Sequence, residues 1–358
     1  MRVLDLTQAP ARPSVEVRSH PAVDLLISIV TFKTPESIET FECGSEWFER
    51  VEGLLSPGLR AALAELGEEA GKEWGGLVGL ALQGPPDEGL DGFLERTAAA
   101  DPVEIWLLLA GGHAPAGGHV DRDVFLRAAA GDSIARERLL DAADDPEHRR
   151  PLLEGLFARS PARTKELVMD VLRRWRSDVY ARDEDRLAQA LRVDADAKRR
   201  AGYSMKPEEL IEFATNGLEY RPEPWIRGVV LVPHVAMRPW NVLCAHDDLF
   251  ILCYPVADES LGIDETAPPA GLLRLHKALG DEKRLRMLKM LARSSSTLQE
   301  LADAVGLQKS SAHHHLVILR AAGLVRVTAE EVSRYTLRRE VIPEASGLLQ
   351  AFLGEEER

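Results

Sequence analysis

Three consecutive histidines, His313, His314 and His315, stand in the stretch KSSAHHHLVILR. Imidazole is the commonest protein ligand for zinc and copper, so the run raises the question of a metal centre. Successive residues of an α-helix are rotated by about 100°, so three in a row cannot converge on one ion. No Cys, Asp or Glu lies three or four residues from His313 or His314 to complete a ligand set. A second candidate is GGHAPAGGHVDRD, which sets His113 and His119 near Asp121 and Asp123. Metal ligands are normally fixed on rigid elements, and a Gly-rich loop reads more plainly as surface. Cys43, Cys244 and Cys253 form no CxxC or CxC motif. Cys244 and Cys253 would face each other across a strand pair as a redox couple, or sit there as buried free thiols, which their apolar neighbours favour. An odd, sparse cysteine count with no visible secretion signal fits a reducing cytoplasm.

Other residues suggest less chemistry. The tryptophans Trp47, Trp74, Trp106, Trp175, Trp225 and Trp240, with Phe48, either line a ligand pocket or fill a core, and helical stripes favour the core. The acid pairs Glu68-Glu69, Asp144-Asp145 and Asp247-Asp248 read as solvated or turn-forming. No P-loop, HExxH, GxSxG or strand-borne GxGxxG occurs. The expectation is therefore no catalytic residue, no metal, no cofactor, and no enzyme.

The elements that would position a site follow from periodicity. At 358 residues the chain is long for a single core. The expected class is mainly α with small β elements (α+β). From PAVDLLISIVTF to about Val193, apolar residues recur at helical spacing, after a short strand at SVEV. IRGVVLVPHVAM and DDLFILCYPV read as paired strands, giving a β-rich part at about 226–257 with a short hairpin. ADESLGIDETAPPAG marks a linker, which divides the chain into a mostly helical effector-binding and dimerisation domain, 1–268, and a C-terminal domain, 269–358. The longest apolar runs are too short to span a membrane.

In the second domain, LLRLHKALGDEKRLRMLKML reads as two helices broken at Gly280-Asp281. Thr297-Leu-Gln-Glu300 is a capping box that opens a third helix, and Gly306 supplies its left-handed stop. A fourth helix runs from about Lys309 to Ala322, followed by LVRV and SRYTLR as two short strands. This is a helix-turn-helix with a wing. Ala312, His315, Leu316 and Leu319 form its inward stripe, which makes His315 structural and leaves His313 and His314 outside. Gln308, Lys309, Ser310 and Ser311 then crowd the leading end, the part of such a helix that enters a major groove. The charge agrees. Residues 271–339 hold 13 Lys/Arg against 6 acids, within a chain of net charge −14.

ELADAVGLQKSSAHHHLVILRAAGLVRV with SRYTL, preceded by RLHKALGDEKRLRMLKML, resembles the ArsR-type winged-helix transcription regulators over about the last 90 residues. The resemblance implies a homodimer whose seam here is GLLRLHKAL and PEASGLLQAFLG, with each recognition helix reading half of a near-palindromic operator. It also implies departures. The helix before the turn has no cysteine pair and the last helix has no histidine, so neither usual metal site of the family is present. Gln308 stands where Ser is usual, and the wing tip carries Glu330 and Glu331, which leaves Arg334 and Tyr335 to meet the backbone or minor groove.

The expected function is a cytoplasmic, sequence-specific regulator, usually a repressor in this family, whose N-terminal domain senses an unidentified small molecule. The expected DNA-binding residues are Gln308, Lys309, Ser310, Ser311, His313, His314, Arg334 and Tyr335. Three other readings stand beside it: a metal or redox sensor built on His113/His119 or the cysteines, an N-terminal enzyme with a DNA-binding tail, and a protein-binding adaptor.

Overall fold

The computed structural model of the chain describes residues 13–67, 74–85, 88–113, 120–143, 146–218, 225–262, 268–328, 334–339 and 341–354. They form two compact units, one of residues 1–207 and 221–256, the other of residues 208–220 and 257–358.

The first unit begins with β1 (Ser14–Val17) and α1 (Pro21–Phe32). Helix α1 is apolar all round and buried from Ala22 to Thr31, as a central core helix must be. It is followed by α2 (Gly44–Leu54), α3 (Pro57–Leu66), α4 (Gly76–Leu82), α5 (Leu90–Ala99) and α6 (Pro102–Ala110). Then come α7 (Arg122–Ala129), α8 (Ser133–Asp141), α9 (Pro146–Phe157) and α10 (Pro161–Trp175). A π-helical turn, Arg176–Tyr180, joins α10 to α11 (Glu184–Gly202). Several starts carry the expected chemistry: Ser56, Asp101, Asp132 and Ser160 each accept a backbone N–H at a helix N-terminus.

Periodicity missed three features here. VFLRAAAGDSIARERLLDAA reads as one helix but is two, because Gly131 turns left-handed (φ 99°) and Asp132 caps the second. Helix α4 lies in a glycine-rich stretch where propensity argues against it. Its Gly76 and Gly79 lie where a Cβ would strike the Leu108 carbonyl and the His246 ring, so close packing selects them. Helix α11 runs nine residues past Val193 through the polar DADAKRRAG, anchored by the buried Asp194 and Ala195.

After α12 (Pro207–Ala214) the chain forms β2 (Gly228–His234), β3 (Val242–His246) and β4 (Leu249–Pro255). The sheet order is β1-β2-β4-β3. The two apolar segments do pair, but in parallel, Gly228 opposite Leu249 through His234 opposite Pro255. The hairpin is instead β3 with β4, turned at Asp247, whose φ is 54°. All seven residues of β2 are buried, which suits a strand with parallel neighbours on both sides. Trp74, Trp106 and Trp175 are fully buried core residues. Trp175 Nε1 donates to Ser28 Oγ at 2.8 Å.

The second unit contains α13 (Ala270–Leu279), α14 (Glu282–Leu291), β5 (Ser296–Thr297), α15 (Leu298–Val305), α16 (Lys309–Ala321), β6 (Val325–Thr328), β7 (Arg334–Leu337) and α17 (Val341–Leu353). Its sheet runs β5-β7-β6, antiparallel throughout. Its core is built from Leu275, Met287, Leu301, Leu316 and Leu319 with their neighbours. The mainly-α, α+β expectation and the winged helix-turn-helix hold.

His234 on β2 is wholly buried; its Nε2 lies 2.9 Å from the Trp240 carbonyl oxygen, and burial pushes its pKa down to about 3. The unfolded chain takes up a proton near pH 6.5 that the fold refuses, so the native state loses stability as pH falls through that window. Denaturant unfolding of the full chain at pH 6.5 and pH 4 should show this as a loss on the order of 3 kcal/mol from this residue alone. His234→Gln keeps the donor without the titration, and its acid loss should be smaller by that amount.

Candidate nucleic-acid interface

The interface begins with a cap. Thr297 Oγ1 accepts the Glu300 N–H at 3.2 Å and Glu300 Oε2 accepts the Thr297 N–H at 2.7 Å, the reciprocal pair the sequence announces. Helix α15 stops at Gly306 (φ 67°, ψ 43°), and Leu307 N–H returns to the Ala302 carbonyl at 3.0 Å. Gln308 is extended at the head of α16 and makes no side-chain cap. The first-turn N–H groups of α16 therefore lack a side-chain cap there and form the positive end of the helix dipole.

Ala312, Leu316 and Leu319 are fully buried. That rotation exposes Gln308, Lys309, Ser310, Ser311, His313 and His314 together at the leading end and one side of the helix. His315 is half-buried, its Nδ1 3.6 Å from Asp281 Oδ1, and burial lowers its pKa. It lies on the inward stripe, but at its edge, facing the Asp281 cap of α14.

The wing differs from the expectation. Tyr335 is buried in the core, opposite Ser296 and Val327, so its ring is not offered to a duplex. Alternation along β7 turns Tyr335 inward, a phase that three or four residues of sequence leave open. Arg334 Nε and Nη2 donate to Ser295, at 3.2 Å to its Oγ and 3.3 Å to its carbonyl. The tip with Glu330 and Glu331 lies outside the described residues. Much of the local positive charge is structural: Lys283 Nζ donates to the Val305 carbonyl (2.7 Å) and Arg284 to those of Ala278 and Lys277 (2.7 Å each), while Arg338 reaches the Asn216 carbonyl (2.7 Å). Arg326 pairs with Glu212 at 2.7 Å. Lys283, Arg284 and Arg338 thus satisfy open carbonyls at helix ends or turns, which their count in the sequence does not reveal.

In the first unit, His119 lies outside the described residues. His113 is buried and stacks on His246, ring centroids 4.6 Å apart and planes 8° off parallel. Asp247, with these two, completes a group compact enough to approach a metal ion. Stacked rings aim their in-plane lone pairs along parallel directions, a poor arrangement for a shared ion. His113 is also held by Glu104 (2.6 Å) and Asp247 (3.0 Å), with the Arg122 guanidinium 3.1 Å away. Cys244 and Cys253 are both free thiols, diagonal in the hairpin register and hydrogen-bonded to each other. That bond and burial push the Cys253 thiol well up, which suppresses the reactive thiolate. Asp24, unmarked by any motif, is a fully buried carboxylate; a lone acid inside the apolar run of α1 was its only sequence signal.

Residues 281–327, from the cap of α14 into β6, match the family model described as bacterial regulatory protein, arsR family. The C-terminal domain is an arsR-family helix-turn-helix domain. A domain of this family supports reading the chain as a DNA-binding transcription regulator. No curated protein and no solved structure matches the chain. No helix among the described residues is long and apolar enough to cross a membrane.

The rotation of α16 separates two kinds of histidine. Lys309→Ala with His313→Ala should leave the unfolding midpoint within experimental error, because both side chains are exposed. His315→Ala should lower stability by about 1 kcal/mol by removing a half-buried ring beside Asp281. Urea unfolding of the three proteins checks both.

Proposed function

We propose that the protein is a sequence-specific, homodimeric transcription regulator, acting as a repressor, whose α16 enters the major groove and whose N-terminal unit senses a small molecule. The observation that carries the DNA reading is the single exposed polar face formed by Gln308, Lys309, Ser310, Ser311, His313 and His314, at a helix end whose first N–H groups have no side-chain cap. Lys can reach guanine O6 or N7, Ser and Gln can read bases or phosphates, and the N-terminal N–H groups favour a phosphate. Arg334 remains the wing residue suited to the backbone.

The homodimer has support of its own. Helix α13 packs on α17, and both leave large apolar side chains in water: Leu273, Ile342, Leu348, Phe352 and Leu353. An apolar surface of this kind marks an interface. A two-fold pairing through these helices would give two recognition helices for two half-sites. The sensor reading rests on a cavity of about 140 Å³ inside the first unit. On this reading the N-terminal unit binds its ligand without turnover, in the cytoplasm, and an effector acts by favouring one spacing of the recognition helices.

Fluorescence anisotropy with promoter fragments tests the reading. Operator affinity should fall steeply with salt, and Lys309→Ala should reduce the log–log salt slope by about 1. Leu348→Glu with Phe352→Glu should yield monomers by light scattering and lose operator binding by at least about tenfold. Salt-independent binding, or none to any fragment at low ionic strength, would rule out the DNA reading.

A further inference from the structure

A cavity of about 140 Å³ lies in the first unit between α1, α2, the π-helical turn and the chain just beyond β2. Three independent features converge on it. Val235 and Ala236, in its wall, directly follow the carboxyl end of β2, the strand flanked by the parallel β1 and β4. Ligands of open parallel sheets bind in the crevice outside such ends. The π-helical turn, closed by Ala181 N–H to the Arg176 carbonyl at 2.7 Å, presents Val179 and Tyr180 to the same space. Single π-turns within helices concentrate at functional sites. Finally, the polar groups of its floor are already bonded to one another and to the backbone, whereas its rim carries exposed arginines.

Its floor is already satisfied. Asp24 Oδ1 accepts the N–H groups of Val235 (2.6 Å) and Ala236 (3.1 Å), and Oδ2 accepts the Tyr180 hydroxyl (2.9 Å). Ser28 Oγ donates to the Leu25 carbonyl and accepts from Trp175. With three donors on it, the Asp24 carboxylate has little left to offer a cation. The walls are apolar: Trp47, Val51, Leu54 and Leu187. The rim carries exposed Arg50, Arg182 and Arg186, of which only Arg186 has an ion-pair partner among the described residues, Asp183. Apolar depth under an arginine rim matches a ligand with an apolar body and an anionic head. The size limits it further, since a dry cavity of about 150 Å³ admits one benzene-sized ring.

We infer that this cavity is a binding site for a small aromatic carboxylate or phosphate, its ring against Trp47 and Leu54 and its anionic group held by Arg50 and Arg182. The assignment builds on the sensor reading of the N-terminal unit but can be tested apart from it. Benzoate, phenylacetate and phenyl phosphate are titrated into the full-length protein by calorimetry and ligand-observed NMR, with neutral benzamide as control. At least one of the anions should bind saturably with Kd near 1 mM or tighter, the range open to about ten heavy atoms. Benzamide should bind at least about tenfold more weakly, the loss of one charge-assisted contact. Arg50→Ala with Arg182→Ala should cost the anion at least about tenfold, whereas Arg173→Ala on α10 should not. Circular dichroism melts confirm that the variants fold. No saturable binding of any of the three up to about 10 mM, equal binding of benzamide, or an unchanged Kd in the double variant overturns the assignment. Operator affinity is measured with and without the bound anion. Saturable, arginine-dependent binding that leaves operator affinity unmoved upholds the site and refutes the sensor reading alone.

Discussion

The burial of Ala312, Leu316 and Leu319 fixes the rotation of α16, and the exposed polar face proposed to meet DNA exists because of that rotation. A helix presents only one side to its core, so seating this stripe against α14 and α15 forces the polar residues at its leading end into water. The capping box at Thr297 and the left-handed Gly306 set where α15 begins and ends, and so where α16 starts. The histidine run is then a consequence of phase. Two of its rings face solvent and one faces the Asp281 cap.

Positive charge in the second unit has two separate uses. Lys283, Arg284 and Arg338 hold helix-end or turn carbonyls, and Arg326 is paired with Glu212. Lys309 is exposed on the polar face of α16. A local excess of basic residues is therefore a weaker footprint than its size suggests, because much of it stabilises the scaffold. In the first unit, Arg122 likewise pairs with Glu104 beside His113, which Asp247 also holds.

The first unit places the buried carboxylate of Asp24 where chain segments far apart in sequence meet. Asp24 comes from α1, Tyr180 from the turn after α10, and Val235 and Ala236 from the end of β2. Burial raises the carboxyl pKa, while the three donors favour the charged form. That network closes the floor of the cavity and leaves its rim to the arginines.

The helix-turn-helix was readable because its signals are local. A Thr-x-x-Glu box, a glycine stop and a stripe at three-to-four spacing act within one turn of each other, and the stripe set the side on which His313 and His314 lie. The class of fold followed from period and composition in the same way. Direction of strand pairing did not, since alternation and apolarity are the same for parallel and antiparallel neighbours, and only the path of residues 235–241 made β2 and β4 parallel. Helix α4 and the reach of α11 escaped because close packing on His246 and Leu108, and the anchoring of Asp194, overrode local propensity. Tyr335 escaped because a four-residue strand carries too little alternation to fix its phase. The cavity was beyond the sequence altogether: its walls come from α1, α2, the π-helical turn and the end of β2, and contacts across such separations are decided by packing, not by spacing along the chain.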